Sequence, residues 1–120
     1  MTAGFAPLAT PPYIAVIFAA QLKQDAPGYA AMADHMVALA QAQTGYLGHD
    51  SARDADGFGI TVSYWRDLDA VASWRRNAEH LMAQKLGHDR WYEHYTLRVA
   101  EVTRSYDSHD FDARIGKDGG

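Results

Sequence analysis

The order of hydrophobic and polar positions predicts a strand followed by a helix in the first third of the chain. Residues 13–22 (YIAVIFAAQL) are apolar at both alternating sets of positions, which is typical of a short strand that is covered on both faces. Between Tyr29 and Ala40, apolar residues recur every three or four positions, and this spacing predicts an amphipathic helix. The turn at Pro27 and Gly28 separates the two elements.

A hairpin is predicted next. Residues 46–53 and 58–65 flank a short turn that ends in Asp56-Gly57, a frequent β-turn pair. Because side chains alternate along a strand, Tyr64 and Trp65 should leave the second strand on opposite faces.

Helical spacing then returns after Asp67, which is a suitable N-cap, and passes through Trp74. We expect a second helical piece at 79–86 and a short helical turn at 89–93. Residues 95–105 alternate and are rich in β-branched side chains, which predicts a final strand.

The predicted order is therefore strand, helix, strand, strand, helix, strand. This is the ferredoxin-like β-α-β-β-α-β motif of the α+β class, with a four-stranded antiparallel sheet and helices on one face. We assign it to residues 12–106, between a flexible arm at 1–11 and a polar tail at 107–120. Since the first strand is apolar on both faces, the face away from the helices needs a cover, which a homodimer with stacked sheets would supply.

Composition excludes several classes of function. The net charge of −4 and the absence of any Lys/Arg run longer than Arg75-Arg76 argue against nucleic acid. The chain has no cysteine, which excludes disulfides, thiolate catalysis and cysteine-based metal sites. The apolar run at 13–20 is too short for a membrane helix, and the first residues do not form a signal peptide, so we expect a cytoplasmic protein without a membrane partner.

Aromatic side chains concentrate between Ser63 and Tyr95. This segment holds all three tryptophans and three of the six histidines. Aromatic rings bury large areas and carry a polar atom, so the segment could line a pocket for a flat organic ligand. It could equally form a wall of the core.

The residues in this segment resemble those of the antibiotic biosynthesis monooxygenase family. The similarity rests on Gly59 to Trp65, Trp74, Glu79-His80, Gly87 and Trp91-Tyr92, and it extends over residues 12–106. It implies a dimeric α+β barrel, with a pocket between the sheet and the helices of each protomer. Members include cofactor-independent monooxygenases of aromatic compounds, haem-degrading monooxygenases and proteins of unknown activity.

For this chain, the resemblance implies a cofactor-independent monooxygenase that oxidises a small aromatic quinol or anthrone-like compound with O₂. The alternative is a non-catalytic, small-molecule-binding or stress-associated barrel protein. In the haem-degrading members, the axial histidine follows a pocket tryptophan by about three turns. If Trp74 is that tryptophan, the ligand position falls near Gln84, and glutamine is a poor haem ligand. A metal site is not expected either, because His80, His88 and His94 lack the spacing of helical zinc motifs.

Six residues are candidates for the site. His80 is the predicted general base, because an unperturbed histidine titrates near neutral pH. It lies off the inward stripe of a continuous helix, so a surface position is the alternative unless the helix breaks near Asn77. The predicted substrate-binding residues are Trp74, Tyr64, Trp91, His49 and Arg98, for which core packing, solvent exposure or ion pairing are the alternatives.

Overall fold

The architecture is a four-stranded antiparallel sheet with two helices. The computed structural model describes residues 4–84 and 91–110. The elements follow the chain as β1 (Tyr13–Leu22), α1 (Tyr29–Gln41), β2 (Tyr46–Arg53), β3 (Phe58–Trp65), α2 (Leu68–Gln84) and β4 (Tyr92–Val102). The strand order across the sheet is β2-β3-β1-β4. This is the ferredoxin-like α+β fold predicted from the sequence.

The second helix differs from its prediction. It is one continuous helix from Leu68 to Gln84, so the prediction of two helical pieces was wrong. Asp67 caps its start by accepting a hydrogen bond from the amide of Ala70 at 2.8 Å. The segment contains no glycine or proline that would break it. Neither α1 nor α2, the helices of the described residues, is long and apolar enough to cross a membrane.

The last strand starts earlier than the sequence predicts. It begins at Tyr92 rather than Tyr95, so the helical turn predicted for 89–93 is wrong at Tyr92 and Glu93. Residues 89–90 lie outside the described residues. Strand β4 pairs with β1 along its whole length, and a register shift between Gln21 and Leu22 admits an additional residue in β4.

The main core lies between the sheet and the helices, on what we call the helix-facing side. Its centre joins Val16 of β1 and Trp65 of β3 to Val71 of α2, and none of these side chains is more than 7% exposed. Tyr46 and Trp74 pack against this cluster. Ile14 and Val16 supply one set of the alternating positions of β1, as expected for a strand with a buried face.

The opposite, open side of the sheet is only partly covered. The Tyr64 hydroxyl donates to Oδ2 of Asp50 at 2.8 Å, and the Tyr13 and Tyr64 rings meet edge to face at 6.0 Å. The amide of Ala6 donates to the other oxygen of Asp50 at 2.7 Å, so the N-terminal arm contacts this side. Further along β3, Phe58 and Ile60 are exposed.

Candidate functional site

A cavity of about 330 Å³ lies between α2 and the helix-facing side of β1 and β4. Its walls are predominantly apolar, and its volume falls at the lower end of the range for small-molecule pockets. We call it the Trp74 cavity. It is lined by Val16, Leu68, Val71, Ala72, Trp74, Arg75, Leu97 and Val99.

The indole of Trp74 has an unsatisfied polar atom. Its ring lies against that of Trp65 with centroids 5.5 Å apart and planes inclined by 34°. Nε1 of Trp74 is buried and has no hydrogen-bond partner among the described residues. In contrast, Nε1 of Trp65 donates to Oγ of Ser63 at 2.9 Å. A buried N–H without an acceptor costs about 1–3 kcal/mol, so this atom would gain from an acceptor.

Behind Trp65 lies a hydrogen-bonded pair, Tyr46 and His49. The Tyr46 ring meets Trp65 edge to face at 5.5 Å, and its hydroxyl shares a hydrogen bond with Nδ1 of His49. Burial raises the pKa of Tyr46, so this phenol is neutral at physiological pH. The pair depends on Gly48, whose φ of 144° accompanies a register shift that places residues three apart on one side.

A second group of rings occupies the other end of the helix-facing side. We call it the Tyr92 cluster, and it contains Phe18, Tyr29, Trp91, Tyr92 and Tyr95. Ring centroids in contact lie between 5.5 and 6.3 Å apart. Burial is the main cause that raises the pKa of Tyr92 well above its usual range, and a hydrogen bond with Tyr29 adds to it.

The polar atoms of the Tyr92 cluster have partners. Nε1 of Trp91 donates to the carbonyl of Pro27 at 2.7 Å. The hydroxyl of Tyr29 accepts from Nη2 of Arg53 at 2.8 Å and is hydrogen-bonded to Tyr92. The rings of this cluster are therefore held by directional contacts as well as by packing.

Three of the predicted site residues lie on the helix-facing side. Trp74 lines the cavity. His49 is partly buried and bonded to Tyr46, and it shares a face with Ser51. Trp91 is 3% exposed and belongs to the Tyr92 cluster.

The other three lie elsewhere. Tyr64 points to the open side, opposite Trp65 as predicted, and burial followed by its contact with Asp50 raises its pKa to about 12. Arg98 lies across from Ile17 on the open side and is exposed. His80 is exposed on α2 and is not among the residues that line the cavity, because the buried stripe of the continuous helix passes through Ala78.

Two features of the site were missed in the sequence. Tyr46 joins His49 only through the bulge at Gly48, and a glycine inside an alternating strand is the signal that could have indicated it. Leu97 and Val99 were recognised only as strand residues. They line the cavity and remain 45% and 48% exposed, because α2 covers only part of β4.

The remaining polar features give no competing site. A hollow of about 280 Å³ beside the start of α2 includes Arg66 and Asp67, which form an exposed ion pair with each other at 3.2 Å. Within residues 4–84 and 91–110, no three His, Asp or Glu side chains are grouped to hold a metal ion.

Comparison with known proteins agrees with this architecture. Residues 14–86 match the antibiotic biosynthesis monooxygenase family. The chain is 50% identical over 94 residues to YqjZ, an uncharacterized protein of Bacillus subtilis, and the alignment covers 78% of this chain and 82% of YqjZ. A jasmonate monooxygenase of Pyricularia oryzae is 43% identical over 54 residues, which is 45% of this chain and 25% of that protein.

Among solved structures, the chain resembles SnoaB, a cofactor-independent oxygenase from Streptomyces nogalater. The TM-score is 0.58 at 14% identity, covering 81% of this chain and 97% of SnoaB. At this identity the similarity concerns the fold alone. The family match across residues 14–86 and the identity to YqjZ show that the chain belongs to the antibiotic biosynthesis monooxygenase family.

Proposed function

We propose that this protein is a monooxygenase that holds a small aromatic quinol or anthrone-like compound in the Trp74 cavity and oxidises it with O₂ without a cofactor. The observation that carries the proposal is an apolar cavity of about 330 Å³ lined by Trp74, a residue whose N–H is buried and has no partner among the described residues. Family membership supports it, as do relatives described as a monooxygenase and an oxygenase.

The proposed reaction needs no external reductant. In an anthrone, the methylene carbon between the rings becomes a carbonyl and loses two hydrogens and four electrons. One oxygen atom of O₂ enters that carbonyl and the other leaves as water, so atoms and electrons balance. The first step is removal of a proton from the enol form, which gives an anion that can transfer an electron to O₂.

Trp74 has two functions in this proposal. Its ring offers a flat apolar surface to the aromatic substrate. Its Nε1 donates to an oxygen of the bound compound and so gains the partner that it lacks among the described residues. The side chains of Val71, Leu97 and Val99 give the reacting anion apolar neighbours.

Two histidines are candidates for the base that removes the proton from the substrate. We retain His80, predicted from the sequence, as the proposed base, although it is exposed and outside the cavity lining. His49 is the competing candidate, because it lies on the helix-facing side, but Trp65 stands between Tyr46 and Trp74. Both histidines must therefore be replaced separately.

The test is O₂ uptake by purified, metal-free protein with hydroquinones, naphthols and anthrones. Wild-type protein, His80→Ala and His49→Ala are compared, and His35→Ala serves as the control because His35 is an exposed histidine of α1. Uptake above the buffer rate that falls about 100-fold in one variant assigns the base to that histidine. Equal uptake in all variants would remove both histidines from the mechanism, and absence of uptake with every compound contradicts the oxygenase proposal.

A second candidate function is favoured by one observation. The described lining of the cavity contains no carboxylate, histidine or tyrosine, so it provides no group that could remove a proton. This arrangement suits a protein that binds a small molecule without reacting with it. Binding of a naphthol or anthrone that quenches tryptophan fluorescence, without any O₂ uptake, would support this function over the first.

We also propose that the protein is a homodimer formed through the open side of the sheet. Phe58 and Ile60 lie on this side and are 44% and 42% exposed. Burying these apolar side chains against a second copy of the chain would be favourable. Light scattering at low micromolar concentration should give twice the mass of one chain. A monomer mass would contradict the dimer without affecting the proposed chemistry.

A further inference from the structure

The guanidinium of Arg53 carries a positive charge that no acidic group of the described residues neutralises. It donates to the carbonyl of Gly57 at 2.6 Å and to the hydroxyl of Tyr29 at 2.8 Å, which are both neutral. The ion pairs within residues 4–84 and 91–110 involve Arg66 and Arg75 instead. In a chain with a net charge of −4, an unneutralised but immobilised arginine is a candidate for binding an anion.

The backbone of the neighbouring strand makes room for this guanidinium. Arg53 lies directly across from Gly59 in the sheet, and a Cβ at Gly59 would fall 2.8 Å from Cζ of Arg53. The φ of Gly59 is outside the left-handed range, so the strand conformation itself does not require glycine. Glycine at this position instead lets the guanidinium lie flat against the sheet, which orients its remaining N–H groups before a ligand arrives.

The surroundings favour an aromatic anion. Cζ of Arg53 lies 5.3 Å from the centroid of the Tyr29 ring, and Tyr29 meets Tyr92 edge to face at 5.8 Å. Both rings are only partly buried. Helix α1 starts at Tyr29 with no acidic residue in its first turn and no side-chain cap from Gly28, so its positive N-terminal end adds to the field of Arg53.

The nearest acidic residue in the sequence is already engaged. Oδ1 of Asp54 accepts hydrogen bonds from the amides of Asp56 and Phe58 in the hairpin turn, both at 2.9 Å. Asp54 is therefore held by the turn rather than paired with Arg53 within the described residues. Within the described residues, the side-chain N–H groups of Arg53 that are not donated to Gly57 or Tyr29 have no acceptor, which leaves them for a planar ligand.

We propose that Arg53 binds the carboxylate of a small aromatic acid whose ring packs against Tyr29 and Tyr92. A guanidinium accepts a planar carboxylate in two parallel hydrogen bonds, and one positive side chain matches one negative charge. This site is separate from the Trp74 cavity. Ala20, which neighbours Gly59, and Val16, which lines the cavity, are four residues apart on β1, or roughly 13 Å.

The test compares the affinities of an acid and its neutral amide rather than oxidation, so failure of the proposed oxidation would not affect its result. The probes are 2-naphthoate and its neutral analogue 2-naphthamide, and binding is followed by calorimetry. The variants are Arg53→Gln and, as a control of equal charge, Arg76→Gln, because Arg76 is exposed on α2 and outside both sites. Tyr29→Phe is a second variant, which removes one acceptor of Arg53 and keeps the ring.

We expect wild-type protein to prefer naphthoate over naphthamide by about tenfold or more, since hydrogen bonds to charged groups are the stronger ones. Arg53→Gln should abolish this preference, Arg76→Gln should keep it, and added salt should reduce it. Tyr29→Phe should reduce the affinity for naphthoate. Equal affinity of wild-type protein for the two probes, or a preference that survives in a folded Arg53→Gln variant, overturns the proposal.

Discussion

The Trp74 cavity and the Tyr92 cluster lie on the same side of one sheet, and both are built from large rings, but their polar atoms differ. In the cavity, Nε1 of Trp74 is buried without a partner among the described residues. In the cluster, Trp91 donates to Pro27, and the hydroxyls of Tyr29 and Tyr92 are bonded to each other. Similar composition has therefore produced one region with an unmet hydrogen bond and one that is internally satisfied.

This difference indicates which region is suited to a neutral ligand and which to a charged one. A satisfied set of phenols gains little from a neutral ligand, whereas an orphaned indole gains a full hydrogen bond. Beside the cluster, the positive charge of Arg53 is not neutralised within the described residues, because both of its hydrogen-bond acceptors are neutral. Single substitutions in each region test whether the two regions differ in this way.

The largest effect is expected from Trp65→Ala. Trp65 is fully buried, contacts both Trp74 and Tyr46, and joins the cavity wall to the core. Removing a buried ring of this size should lower the free energy of unfolding by about 3–5 kcal/mol, measured by urea denaturation. Tyr95→Ala in the Tyr92 cluster should cost about 1 kcal/mol, because Tyr95 is 42% exposed. Equal losses would show that the two regions contribute alike to the core.

The fold was readable from the sequence because its elements follow simple periods. The first strand, Tyr13–Leu22, has the predicted bounds, and both strands of the hairpin do as well. The site was less readable. Strict alternation cannot place Tyr46 beside His49, because the pair exists only through the irregular backbone at Gly48.

The placement of individual side chains depended on packing that the sequence does not show. His80 is exposed because α2 continues through Asn77 without a break, and only the neighbouring sheet decides which stripe of that helix is covered. Trp74 could be read as a packing or a binding residue, and its side chain both packs on Trp65 and lines the cavity. The position of the Arg53 guanidinium depends on Gly59, which lies across from it on the next strand. The alternation of polar and apolar residues within either strand does not reveal this contact.

Tyr92→Phe should have an intermediate effect on the free energy of unfolding, and the effect should be seen at alkaline pH. Because burial favours the neutral phenol, the pKa of Tyr92 in the folded state lies above the value of about 10 in the unfolded chain. Its contribution to stability is therefore present below about pH 10 and is lost as pH rises toward the folded-state pKa. Each unit of difference corresponds to about 1.4 kcal/mol.

Urea denaturation between about pH 9 and pH 12 should therefore show a steeper loss of stability for wild-type protein than for Tyr92→Phe. Tyr64→Phe is the matched control on the open side, where the pKa of Tyr64 is raised to about 12 by burial and Asp50. We expect Tyr64→Phe to reduce the pH dependence of stability less than Tyr92→Phe does, because the pKa of Tyr92 is raised more than that of Tyr64. Identical slopes for wild-type protein and Tyr92→Phe would show that the cluster does not hold this phenol in its neutral form.

The smallest effect on stability is expected from Trp74→Phe, and a comparison with Trp65→Phe distinguishes the two packed indoles. This change removes an N–H that has no partner in the described part of the chain, which offsets the packing lost with the smaller ring. The free energy of unfolding should change by about 1 kcal/mol or less. Trp65→Phe removes a donor that is bonded to the buried Oγ of Ser63, so it should cost about 1–2 kcal/mol more than Trp74→Phe.

Binding should reverse that order. If Nε1 of Trp74 donates to a bound oxygen, Trp74→Phe should weaken binding of a naphthol or anthrone about fivefold to tenfold, because one neutral hydrogen bond is worth about 1 kcal/mol. Trp65→Phe should change this affinity less, since Trp65 is not among the residues that line the cavity. A Trp74→Phe variant that binds as well as wild-type protein but unfolds more readily would mean that the indole serves packing alone, and the cavity would lose its only proposed donor.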